Sequence, residues 1–155
     1  MYYYLNTLFI LIAKYSLFVS IIIGGIYFIK QNKQIKKQII IFGFISMISI
    51  GVIALILGHL YYNPRPFVVG NFTPLISHSV DNGFPSDHVL LASAIASILY
   101  FFSKKTGLYL WIITILLAVS RVYVGVHHPI DVVASMTISI FSTYFIYKIL
   151  KMKKL

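Results

Sequence analysis

Five long apolar runs follow one another along the chain, with short polar connections between them. They cover about Leu5–Ile29, Ile39–Tyr61, His88–Phe102, Leu108–Val126 and Pro129–Leu150. A helix needs about 20 mostly apolar residues to cross the hydrocarbon core of a bilayer. The pattern therefore predicts five spanning helices, the third of them short and reaching back towards Ser86. The first run is too long for a cleavable leader and has neither a basic start nor an A-x-A site. The longest polar connection, Tyr62–Asp87, carries Asn63-Pro64, Pro66, Gly70 and Asn82-Gly83 as turn signals. With no internal repeat, low-complexity tract or linker, residues 1–155 read as a single all-α domain, an integral membrane helical bundle.

Composition agrees with this reading. The chain is 59% hydrophobic and 10% charged, whereas a soluble domain carries about 25% charged residues. A chain of 155 residues cannot hide that much apolar surface in one small soluble core. Cysteine is absent, which excludes disulfides and thiolate metal sites. The net charge of +10 is spread in short basic groups between apolar runs. That arrangement fits a membrane surface rather than nucleic acid.

Those basic groups also predict an orientation. Lys30, Lys33, Lys36 and Lys37 follow the first run, Lys104 and Lys105 follow the third, and Lys148, Lys151, Lys153 and Lys154 form the tail. With five spans all three groups fall on one side, and the positive-inside rule makes it the cytoplasmic side of a bacterial plasma membrane. The opposite, outer side receives Arg65, Arg121, every histidine and all three aspartates, Asp81, Asp87 and Asp131. Glutamate is absent.

On that outer side the polar residues form a pattern with chemical content. Arg65 lies in "YYNPRPF", Ser86 and His88 lie in "FPSDH", and Arg121, His127 and Asp131 lie in "SRVYVGVHHPID". Two guanidiniums offer planar donor forks to a phosphate. Ser86 is placed to cap the third helix and leave its first amides facing an anion. Asp131, four residues after His127, is within reach of it if a helix begins near Pro129. It would then orient the ring and stabilise its cationic form, leaving His88 to act as an acid. Taken singly, these residues have plainer readings. Arg65 alone is a headgroup contact, Ser86 a helix cap, Asp87 a first-turn dipole partner, and the His127–Asp131 couple a structural pair. Arg121 resists such a reading, since an arginine near a span is costly and usually functional. His59, His78 and His128 read as interfacial residues without a role.

The three stretches together resemble the type 2 phosphatidic acid phosphatase superfamily, whose signature has the form K-x6-R-P, P-S-G-H and S-R-x5-H-x3-D. Ser120, Arg121, His127 and Asp131 match the third part in full. Pro85, Ser86 and His88 match the second, and Arg65-Pro66 the end of the first. "FPSDH" with "GVHHPIDV" is most similar to the bacterial undecaprenyl-diphosphate phosphatases of the bacitracin-resistance type. The likeness runs from about His59 to Val133.

The resemblance implies a metal-free, cofactor-free hydrolysis of a lipid diphosphate. His127 would attack the terminal phosphorus, Asp131 would support it, and His88 would protonate the leaving oxygen. Arg65, Ser86 and Arg121 would hold the phosphoryl oxygens. Two departures stand out: Gly58 occupies the lysine position of the first part, and Asp87 replaces a glycine. His59 or Lys14 are the candidate stand-ins for the lysine. The superfamily usually has six spans, so an N-terminal span is expected to be missing. Two other functions compete with this one: a phosphatase for phosphatidic acid or phosphatidylglycerol phosphate, and a non-catalytic lipid-binding or transporter subunit. His88, His127 and Asp131 favour catalysis, because binding alone needs cations but neither an acid nor a histidine oriented by a carboxylate. Oligomeric state is not legible in the sequence.

Overall fold

The computed structural model describes residues 2–150. It contains helices α1 (Tyr2–Ile29), α2 (Lys33–Leu60), α3 (Pro66–Val69), α4 (Asp87–Phe102), α5 (Lys104–Tyr123) and α6 (Pro129–Ile149). Four of these, α1, α2, α5 and α6, are long and apolar enough to cross a membrane. The third expected span is α4, which at 16 residues is shorter. Lys151, Lys153 and Lys154 of the expected basic tail lie outside the described residues.

α1 starts three residues before its apolar run, at Tyr2, and two further helices start earlier still relative to theirs. α2 begins at Lys33 rather than near Ile39, because Asn32 caps it by accepting from Ile35 N at 2.9 Å. α5 begins at Lys104 rather than Leu108, with Ser103 Oγ accepting from Thr106 N at 3.2 Å. In both cases polar first turns join the helix through a side-chain cap, which hydropathy does not register. The α4–α5 corner is tight: a Cβ on Gly107 would stand 2.5 Å from Tyr100 Cα.

α4 lies at the centre of the bundle and packs on α1, α2, α5 and α6. Its buried face is built of small residues, Ala92, Ser93, Ala94, Ala96 and Ser97. Small side chains let helices approach closely where lipid supplies no hydrophobic drive between them. The α4–α6 seam is hydrogen-bonded: Ser93 Oγ donates to Ser139 Oγ at 2.8 Å, and Ser139 Oγ to Leu90 O at 3.1 Å. Outside, large apolar side chains face away from the bundle, with Phe44, Leu55 and Phe141 each 66–68% exposed. A face of that kind suits a hydrocarbon solvent.

The Tyr61–Ser86 connection folds back onto the bundle. It holds the single turn α3 and an isolated bridge between Pro64 and Asn82. Ile76 is buried with Ala13 of α1 and with Val124 and Val126 of the α5–α6 turn, and Leu75 N donates to Val124 O at 3.0 Å. Asn82 ties the two ends of the connection together. Its Oδ1 accepts from Asn63 N at 2.9 Å and Phe84 N at 3.0 Å, and its Nδ2 donates to Gly58 O at 2.8 Å.

Candidate active site

One end of the bundle collects the last turn of α5, the first turns of α4 and α6, and both ends of the Tyr61–Ser86 connection. At its centre is His127, in the α5–α6 turn and 2% exposed. Its Nδ1 donates to Gly83 O at 3.0 Å, and Asp131 Oδ2 stands 3.4 Å from the same nitrogen. The proton is thereby fixed on Nδ1, and Nε2 keeps its lone pair. Arg65 Nη1 lies 3.3 Å from Nε2.

Asp131 sits at the third position of α6, with Pro129 at the first as the sequence predicts. It is fully buried and well supplied with donors. Oδ1 accepts from Asn63 Nδ2 at 2.7 Å and Oδ2 from His128 N at 2.8 Å. The expected His127–Asp131 pairing is therefore the longer of two contacts at Nδ1, the Gly83 carbonyl being the shorter. Gly83 can occupy this place because it lacks a side chain. A Cβ there would stand 3.2 Å from both Asn63 O and Asp131 Oδ2, and 3.4 Å from Arg65 Cγ.

Arg65 is buried, not solvated. Its Nε donates to Asp81 Oδ1 at 2.6 Å and its Nη1 to Val126 O at 3.0 Å. The ion pair and the Ser79 hydroxyl act on Asp81 in turn. Its slight burial works to raise the carboxyl pKa, but hydrogen bonds from Ser79 and Arg65 outweigh this and hold it below the usual value.

Arg121 and Ser86 differ from Arg65 in what they touch. Arg121, in the last turn of α5, is 3% exposed, and its Nε and Nη2 have no hydrogen-bond partner among the described residues. Ser86 is fully buried at the N-cap of α4, yet its hydroxyl does not cap the helix and is likewise unpartnered among the described residues. Its backbone is held instead, its carbonyl accepting from Ser135 Oγ at 3.0 Å and its N–H facing Asp131 O at 3.4 Å. A buried donor without a partner costs about 1–3 kcal/mol, a cost that a bound group carrying acceptors would offset. His88, in the first turn of α4, is half-buried and within electrostatic range of Arg121, His127 and His78. Asp87 beside it is exposed.

His127 lies outside the spanning helices, and its environment lowers its pKa. Burial is the largest cause, the Asp131 hydrogen bond opposes it, and the charges of Arg121 and Arg65 reinforce it. The neutral form of the ring is thereby favoured.

Among the residues read as interfacial, His59 is exposed and bonds to Leu55 O of its own helix at 3.2 Å. Lys14 is exposed on α1. Among the described residues neither hydrogen-bonds to a member of this cluster, although His59 lines a groove with Asn82 and Asp87. His128 donates from Nε2 to Pro64 O at 3.1 Å, a tie that holds the connection to the turn. His78 is the exception, for its ring centroid stands 6.1 Å from that of His127. Gly83, Asn63, Asn82 and Asp81 also surround the cluster without having been singled out as site residues. In the sequence Asn63, Asn82 and Gly83 show only as turn signals, and Asp81 only as an outer-side aspartate.

Comparison with known proteins identifies the family. Residues 39–155 match the PAP2 superfamily. The chain is 30% identical over 148 residues to the "Bacitracin transport permease protein BcrC" of Bacillus licheniformis, covering 94% of this chain and 72% of that one. It is 31% identical over 144 residues to the "Undecaprenyl-diphosphatase BcrC" of Bacillus subtilis, covering 93% and 74%. The crystal structure of Aquifex aeolicus LpxE has the same fold, with a TM-score of 0.75 at 23% identity over 93% of this chain and 86% of that one. By its sequence and by its fold, the chain belongs to the PAP2 superfamily and is a membrane phosphatase.

Proposed function

We propose that the protein hydrolyses a long polyprenyl diphosphate, undecaprenyl diphosphate, to the monophosphate on the outer face of a bacterial plasma membrane. One observation carries the reading: among the described residues Ser86 Oγ and two nitrogens of Arg121 are buried donors without partners, at the same end of the bundle as a histidine whose Nδ1 is held by Gly83 O and whose Nε2 faces Arg65 Nη1. A phosphoryl group supplies those donors with acceptors.

His127 Nε2 attacks the terminal phosphorus in line. The Nε2–P bond forms as the bond from phosphorus to the bridging oxygen breaks. His88 gives its proton to that oxygen, and the lipid monophosphate leaves. The ring is now cationic, with Nδ1–H on Gly83 O and Asp131 beside it. Water then attacks phosphorus, His88 takes its proton, and the Nε2–P bond breaks to release inorganic phosphate. Arg65, Ser86 and Arg121 hold the equatorial oxygens throughout. The Arg65 N–H that faces Nε2 turns to an oxygen when substrate arrives.

The choice of lipid rests on three supports. The BcrC relative of Bacillus subtilis is an undecaprenyl-diphosphatase. Lysine asymmetry directs the site outward. A groove of about 400 Å³ between α2 and α4 runs from apolar walls at Ala54, Leu55 and Leu90 to polar ones at Asn82 and Asp87. A tail lying there would stay in the bilayer, with Asp87 at the polar end next to Ser86 and His88 in the chain. The test is a competition assay in detergent with undecaprenyl diphosphate, phosphatidic acid and phosphatidylglycerol phosphate at equal concentration. The diphosphate is expected to have the highest kcat/KM. A higher value for either glycerolipid overturns the substrate and leaves the chemistry standing. No phosphate release from any of them favours a binding protein.

A further inference from the structure

We propose that His78 is a substrate-contacting residue, gripping a phosphoryl oxygen from the loop side as a third basic group beside Arg65 and Arg121. This inference rests on the phosphatase reading. The backbone at position 58 reaches the same region, since a Cβ on Gly58 would stand 3.2 Å from Phe84 O, but glycine offers no cation there. His78 arrives from another direction. Burial of Ile76 and the Leu75–Val124 hydrogen bond pin the connection just before it, and the Arg65–Asp81 ion pair pins it just after. Between those two anchors the half-buried ring is set edge-on to His127, with centroids 6.1 Å apart and planes at 73°. Rings that close can share one phosphoryl group, with His127 Nε2 on phosphorus and the His78 ring beside one of its oxygens.

The ring is not tied into the fold as its neighbours are. His59 and His128 each bond to a backbone carbonyl. Among the described residues the hydrogen bond of His78 is to Ser79 Oγ, from Nδ1, at a long 3.4 Å. Ser79 Oγ itself donates to Asp81 Oδ2 at 2.6 Å, so its oxygen accepts from His78 Nδ1–H. Nε2 is then the free edge, and it donates to phosphate when the ring is protonated. The charges facing it are Arg65 and Asp81 of the same connection, His88 of α4, Arg121 of α5 and His127 of the α5–α6 turn. Burial first, then Arg65, Arg121 and His127, lower its pKa against the opposing Asp81. A bound phosphate reverses that balance, so ligand and proton bind together.

The test uses the purified full-length protein and its His78→Ala and His78→Lys variants. Steady-state kinetics are read on whichever lipid phosphate the wild type hydrolyses, and vanadate binding is read by thermal shift. His78→Ala is expected to raise KM and weaken vanadate binding about 10- to 100-fold, the range of one charge-assisted hydrogen bond, with an unchanged melting midpoint. His78→Lys is expected to restore most of both. Wild-type vanadate affinity is expected to fall as pH rises through neutrality, and that of His78→Lys to persist. Wild-type kinetics and vanadate binding in His78→Ala overturn the inference, as do equal losses in the alanine and lysine variants. A wild type that hydrolyses no lipid phosphate refutes the phosphatase reading instead. The vanadate comparison still decides whether His78 holds the anion.

Discussion

Around His127, two residues decide how the nucleophile is presented. Gly83 gives its carbonyl to Nδ1 and yields space to Asp131 and Arg65. Gly83→Ala places a methyl 3.2 Å from an oxygen of Asn63 and one of Asp131. It is expected to cost about 1–3 kcal/mol of stability through overpacking and to lower kcat more than it raises KM. Circular-dichroism melts and steady-state kinetics check both. Asp131 is the main influence holding the His127 pKa up against burial. The active ring is neutral, so kcat/KM is lost as pH falls through the His127 pKa, which lies below the ordinary value of about 6.5. Asp131→Asn removes the opposing charge, so the acid limb moves further down while kcat drops, because the phosphorylated ring loses its carboxylate. An acid limb that moves up contradicts this electrostatic account. The arginines, serine, histidines and aspartate of the site were legible in the sequence because chemistry restricts their type. Gly83 and Asn63 act through backbone position and a single amide, so neither shows until the chain is folded.

At the scale of elements, the Tyr61–Ser86 connection is a structural part of the site. Asn82 alone ties Asn63, Phe84 and Gly58 through its side chain. Asn82→Ala leaves those partly buried backbone groups without partners, at about 1–3 kcal/mol for each one that water does not reach. A lower melting midpoint and a loss of activity are expected together, since Arg65 rides on the same segment. A variant with normal turnover would show that the connection is held by other contacts. The long apolar helices were readable from hydropathy. Their polar first turns were not, because Asn32 and Ser103 extend α2 and α5 by local hydrogen bonds independent of hydropathy. The folding of a connection rich in turn signals onto α1 and α5 was also hidden, because it depends on the burial of Ile76 and on long-range bonds such as Leu75 N to Val124 O, which local sequence does not register.

For the whole molecule the open quantity is orientation. The chain has no cysteine, so single cysteines report cleanly. One at Val80, 71% exposed in the connection, is expected to react with an impermeant thiol reagent on intact cells. One at Lys37, exposed in the first turn of α2, is expected to be protected. The reverse pattern moves the site to the cytoplasmic face. Overexpression is expected to raise tolerance to bacitracin, which binds the lipid diphosphate, and unchanged tolerance with the protein present in the membrane argues against that lipid.

The central claim is that phosphate passes through a covalent bond to His127. The direct measurement is to quench the purified protein during turnover of a diphosphate labelled at its terminal phosphate and to locate the label by peptide mass spectrometry. An acid-labile, base-stable phosphate is expected on His127, with no label and no turnover in His127→Ala. Undiminished turnover in His127→Ala, or label on another residue, would contradict it.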